Sequence, residues 1–291
     1  MKIIEMQIQT MTLEQIAKSV GDLPAFPAIA MQALQVSEDP KTSARQLQFI
    51  IAKDQALTAR ILRIVNSAMY SFQREVSTLS HAIAILGFDT VRSIIVAATI
   101  RHVFPSGRKS GPGLTNQLLW QHSWGAAVAA RAIAVSVGHR NADEAFTGGL
   151  LHDLGKMVLL KNREAFYAEI LNAVHCGETS FHKAEIERFG FSHADVGALL
   201  TSRWNFPTQL VEAIVHHHDP VPPSAGGPLP AIVALSNRMM ALLEIGFEKN
   251  RALTLEEEPS ARLLELEGPE LQKLTAEVEL VISKTPGIEK W

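Results

Sequence analysis

Eleven histidines occur in the 291-residue chain, and several sit in pointed places. His122 lies in WQHSWGAA, and His152 and Asp153 are adjacent in GLLHDLGK, three residues before Lys156. His193 begins a helix in GFSHADVGALL, and His216, His217 and His218 run together in AIVHHHDP. Imidazole and carboxylate are the ligand types that suit divalent Fe, Mn, Ni or Zn. Buried on an apolar helix face without a partner, each would instead be a costly polar group. Taken singly, every motif has an ordinary reading. His122 could be a satisfied core histidine, and the His-Asp pair a capping feature. His193 could be a first-turn residue, the three histidines could be comfortable beside the negative end of a helix dipole, and Lys156 could be a solvated charge. Taken singly none is convincing, and it is their order along the chain that carries weight.

The elements that must position these residues read as helices, because apolar residues recur at i, i+3 and i+4 almost throughout. Thr12 with Gln15, and Ser43 with Gln46, have capping-box spacing. In 56–69, Leu57, Ile61, Ile64 and Val65 share one face. Residues 79–86 end at Gly87, and Asp89 can cap a following helix that runs to Val103. PSGRKSGPG at 105–113 is the strongest break, a hinge between two helical halves. Beyond it the pattern predicts helices over 115–137, 142–160 (with Gly148 and Gly149 inside), 192–204, 207–217 and 229–245, then an amphipathic segment at 269–282. No hairpin signal separates two alternating runs, so no strands are expected. Asn66, Ser67 and Asp54 read as packing and capping residues, and Trp204 as a core anchor.

Composition narrows the function. Hydrophobic residues make up 47% of the chain, enough for a sizeable core. Lys and Arg total 27 against 30 acidic residues, a net charge of −3 that gives no basis for general nucleic-acid binding. The lone cysteine, Cys176, excludes an intrachain disulfide and suits a reducing compartment. The N-terminus, with Glu5 early and no long apolar core, does not read as a signal peptide. No uncharged apolar window of about 18 residues appears, so no membrane span is expected and the expected location is cytoplasmic.

The order His122, His152-Asp153, His193, His217-His218 resembles the HD superfamily of metal-dependent phosphohydrolases. The N-terminal half is similar to the HDOD branch in LPAFPAIAMQALQVSEDP, IIAKDQALTARILRIVNSAMY and LSHAIAILGFDTVRSIIVA. EAFTGGLLHDLGK, GFSHADVGALLTSRWNFP and HHHDP match the same family in the second half. The resemblance covers roughly 20–245. It implies an all-α fold in which an N-terminal helical bundle (20–105) packs on an HD-domain-like helical core (115–245), with an extension at 1–19 and a helical tail at 246–291.

It also implies a regulatory, signal-transducing role through a protein partner, with a divalent metal and a nucleotide as the ligands to consider. The implied metal residues are His122, His152, Asp153, His193, His217 and His218. Asn237, in ALSNRMM, stands where the family usually has a metal-binding aspartate. The chain departs from the related HD-GYP branch too, since DPVPPSAGG follows His218 with no GYP, and Gln55 replaces a common proline. The neutral Asn237 and the missing GYP favour a module without efficient catalysis that binds divalent metal weakly. The alternative is a nucleotide phosphohydrolase or phosphodiesterase in which Asp153 binds metal and Lys156 contacts phosphate. Oligomeric state is left open.

Overall fold

The computed structural model describes residues 17–18, 23–67, 69–70, 72, 74–103, 112–162, 164–220 and 227–285. The Thr12/Gln15 box and most of the 105–113 break lie outside them. Every regular element among the described residues is helical, as an all-α chain requires.

The first half holds α1 (Ala28–Ser37), α2 (Ala44–Ile51), α3 (Gln55–Val65) and α4 (Leu79–Val103). Ser43 and Gln46 form the expected capping box on α2, and Asp54 accepts from Leu57 N–H to start α3. Leu57, Ile61, Ile64 and Val65 are buried, as their spacing predicts. Asn66 is structural: its amide donates to Leu62 O and Val76 O and accepts from Val76 N–H. Gly87, at φ +80°, breaks α4 into the two segments legible in the sequence. This helix is long and apolar enough to span a membrane, but 61% of its most apolar window is buried inside the protein. Its hydrophobicity is consumed by the core.

The second half follows as α5 (Pro112–Ser136), α6 (Ala142–Leu151), α7 (Leu154–Asn162), α8 (Glu164–His175), α9 (Phe181–Phe189), α10 (His193–Arg203), α11 (Thr208–Val215) and α12 (Leu229–Leu242). A 3-10 turn (Leu255–Glu257), α13 (Pro259–Leu263) and α14 (Gly268–Ser283) complete the chain. Helix α6 lies along α5, α12 packs on both, α7 packs on α10, and α14 returns to α5. The Gly148–Gly149 pair serves close approach: a Cβ on Gly149 would stand 2.6 Å from Ala126 O on α5.

One sequence expectation is corrected. The segment 142–160 is two helices, interrupted at His152 and Asp153. The interruption falls at the doublet, three residues past the glycines, just before Gly155 brings the start of α7 against His193 O at the start of α10.

The two halves share an interface. Thr90 donates to the Asp143 carboxylate, Ser93 donates to Asp143 O, and Thr147 donates to Ser93 Oγ. Trp204, 4% exposed, donates to Pro24 O and packs 5.0 Å from the Phe26 ring. It thereby pins the LPAFP segment to the end of α10.

Candidate metal centre

Six helices deliver the candidate residues. His122 lies within α5, His152 and Asp153 occupy the α6–α7 break, and Lys156 is in the first turn of α7. His193 is the first residue of α10, and the Ser192–Asp195 capping box fixes that start. His217 and His218 follow α11, which His216 terminates, and Asn237 is on α12. A single close approach aligns the two starts. A Cβ on Gly155 would lie 2.0 Å from His193 O, so only glycine lets α7 and α10 come together here.

The donors converge on Asp153. Oδ2 stands 3.3 Å from His122 Nε2 and 3.4 Å from His152 Nε2. Oδ1 stands 3.2 Å from His193 Nε2 and 3.8 Å from His217 Nε2. His218 Nε2 is 2.9 Å from His193 Nε2. Two groups of donor atoms result: His122, His152 and Asp153 on one side, His193, His217 and His218 on the other. Asp153 presents one oxygen to each.

Protons can be placed by elimination, since a carbonyl or an ionised carboxylate oxygen only accepts. His122 Nδ1 faces Ile245 O at 3.1 Å, and His152 Nδ1 faces Gly149 O at 2.7 Å. His217 Nδ1 faces Ile214 O at 2.6 Å, and His193 Nδ1 faces Glu185 Oε2 at 2.5 Å. Each Nδ1 is therefore the donor, and a ring in its neutral form turns its Nε2 lone pair inward. His122 and His152 then aim lone pairs at each other across 3.2 Å, as do His193 and His217 across 3.3 Å. The buried Asp153 Oδ1 has no hydrogen-bond donor. Lone pairs repel unless something positive lies between them, and this donor set fits a divalent cation on each side of Asp153.

Charge placement agrees. Burial alone would raise the Asp153 carboxyl, but His152 and Lys156 hold it well below the usual range. Burial drives His122 down to about 4, against the pull of Asp153. It also drives His217 and His218 well below the ordinary imidazole value, helped by their histidine neighbours. Burial is the largest single influence on His193 and pulls it down, but Glu185 and Asp153 together outweigh it and the net direction is upward. A proton and a cation compete for that nitrogen.

Lys156 is no solvated charge. It is 3% exposed, donates to Asp153 Oδ2 at 2.7 Å and lies 4.5 Å over the Phe181 ring. Asn237 is buried at 6%. It lies four residues after Val233 and three before Met240, whose side chains pack against Gly148 and Gly125. That spacing puts it on the face of α12 turned toward α5 and α6.

Two residues escaped the sequence reading. Glu185, fully buried, binds both the backbone N–H and Nδ1 of His193 and accepts from Tyr167. Its signal was present: Phe181, Glu185 and Phe189 recur every four residues, so a carboxylate interrupts an apolar stripe. His182 packs its ring 4.4 Å from that of His218, with a buried Nδ1 that has no partner.

Comparison with known proteins follows this geometry. A Geobacter sulfurreducens HDOD domain protein of unknown function shares 27% identity and superposes with a TM-score of 0.81 over 99% of each chain. A candidate phosphohydrolase of Shewanella amazonensis, at 22% identity, superposes at 0.75 over 97% of this chain and 98% of its own, which supports the fold. A Treponema pallidum protein of unassigned function is 25% identical over 244 residues, 83% of this chain but 47% of its own length. The chain thus spans about half of that relative. The HDOD domain model matches residues 23–220, and the chain belongs to the HDOD family.

Proposed function

We propose that this protein is a regulatory module in which a divalent-metal centre organises the HD-like half and function is exerted through contacts with a protein partner rather than through efficient hydrolysis. One cation would be held by His122, His152 and Asp153 Oδ2, and a second by His193, His217, His218 and Asp153 Oδ1. Such ions supply Lewis acidity and lower the pKa of bound water. The observation that carries the reading is the closure of the donor set: His152, Asp153, His193 and His217 are 0–2% exposed. A phosphoryl group has little route to those atoms, while the converging lone pairs favour a resident ion. Asn237 supports the same reading, because an amide oxygen cannot offset a cation's charge as a carboxylate does.

A second reading, a metal-dependent nucleotide phosphohydrolase, is favoured by the complete histidine set and by Lys156 beside Asp153. The experiment is elemental analysis of the purified protein together with a turnover screen over cyclic dinucleotides and phosphomonoesters. Bound metal with negligible turnover is expected. Robust metal-dependent hydrolysis would overturn the regulatory reading and install the enzyme.

A further inference from the structure

A second site stands apart from the metal centre, in the seam between the two halves. A cavity of about 380 Å³ opens there, within the size range of small-molecule sites and at a junction where such sites concentrate. Met31 and Leu34 of α1 and Val96 of α4 form one wall. Trp204, Phe206 and, from α11, Leu210 add to the apolar lining. Four carboxylates, Glu38, Asp89, Asp143 and Glu144, line the same space against one cation, Arg92. Arg92 pairs with Asp89 and donates to Ser37 O at 2.7 Å, and Arg131 pairs with Asp143 at 3.3 Å, which leaves Glu38 and Glu144 as the lining carboxylates with no Lys or Arg partner among the described residues.

The cavity's position bears on what it could do. Helix α6 begins there with Asp143, Glu144 and Thr147 and ends at His152. Helix α10 begins at His193 and ends at Trp204, and α11 begins beside Pro207 and Leu210 and ends before His217. Three helices that deliver metal-centre residues thus place their opposite ends in the cavity, about 15 Å away by helix rise. The N-terminal half supplies the remaining wall. An occupant would touch both halves and the ends of all three helices at once.

We propose that this seam cavity binds a small cationic amine with an aromatic or aliphatic body. The apolar lining buries the body, the aromatic rings of Trp204 and Phe206 in that lining suit a cation, and Glu38 and Glu144 disfavour anions. This site goes beyond the metal-centre reading and does not depend on it.

The probes are phenethylamine and its charge-reversed counterpart 3-phenylpropionate, titrated calorimetrically into the full chain. Phenethylamine is expected to bind with a dissociation constant below about 1 mM, and 3-phenylpropionate at least about tenfold more weakly. The double variant Glu38→Gln/Glu144→Gln, which touches no metal-centre residue, is expected to weaken the amine at least about tenfold with unchanged melting. Leu34→Trp, filling the cavity, is expected to exclude both probes. Metal content after dialysis with the amine is expected to stay constant. Equal binding of the two probes, no binding of the amine, indifference to the glutamine pair or to Leu34→Trp, or displacement of metal would each overturn the proposal.

Discussion

At the scale of the residue, Glu185 and Asn237 make the sharpest tests. Glu185 holds His193 by its ring and its backbone, so it orients a candidate ligand without belonging to the donor set. Glu185→Gln keeps the shape and an acceptor for Tyr167 but removes the charge that favours the proton on Nδ1. Metal affinity is expected to fall about 10–100-fold with the fold intact. Titrating Zn²⁺ or Mn²⁺ into both proteins checks this, and equal affinities would show that Glu185 serves packing alone. Asn237→Asp is expected to raise metal occupancy, because it adds a negative charge on the face of α12 turned toward α5 and α6. Metal content and melting temperature measured together decide it. A less stable, metal-free Asp variant would mean that the amide is a core residue and that the new charge is buried without its ion.

At the scale of the element, the break between α6 and α7 does the positioning. An unbroken helix over 142–160 would carry Asp153 on around the helix axis; the break leaves it free to meet His193, and Gly155 lets the backbone of α10 come close enough. Gly155→Ala would drive a methyl into His193 O, an atom that cannot rotate away. The expected cost is about 3 kcal/mol or more, with loss of metal in parallel. Urea melts and metal analysis of the variant test both. A helix-favouring gain in stability, as alanine gives at an exposed site, would show that the approach of α7 to α10 is not obligatory.

At the scale of the whole molecule, the buried histidines couple the fold to pH. His122, His217 and His218 are all lowered in the folded state, His122 to about 4. Unfolded, they take up protons near the ordinary value of about 6.5, so the unfolded chain binds more protons below that pH. Their stabilisation is therefore present above about 6.5 and is lost as pH falls toward 4. His193 runs the other way, since a raised value contributes stability below about 6.5 that is lost as pH rises through its folded value. Asp153, held low, extends the acid loss beneath the ordinary carboxylate range. With three imidazoles against one, chelator-treated protein is expected to lose stability between about pH 6.5 and pH 4, by about 1.4 kcal/mol per pH unit for each net proton. Denaturant melts across that range measure it, and a flat profile would mean that the burial of these rings is incomplete in solution.

The all-α class, most helix positions and six converging donors were legible in the sequence because their causes are local or ordered along the chain. Spacing at i, i+3 and i+4 marks a helix face wherever it occurs, and Ser43, Asp54 and Ser192 declare helix starts by what their own side chains can accept. The donors were legible only through their order in the resemblance, since no spacing rule brings residues 122, 153, 193 and 217 together. Tertiary structure decided the rest. The split at the His-Asp doublet sits beside the approach of α10 to Gly155, a contact between residues 38 apart. The burial of Lys156 against Asp153, and the role of Glu185, depend on which surfaces meet. A glutamate in a helix looks solvated until another element covers it. The seam cavity is the extreme case, because it exists only where α1, α4, α6 and α11 fail to close completely, and a gap between helices leaves no pattern in any one of them.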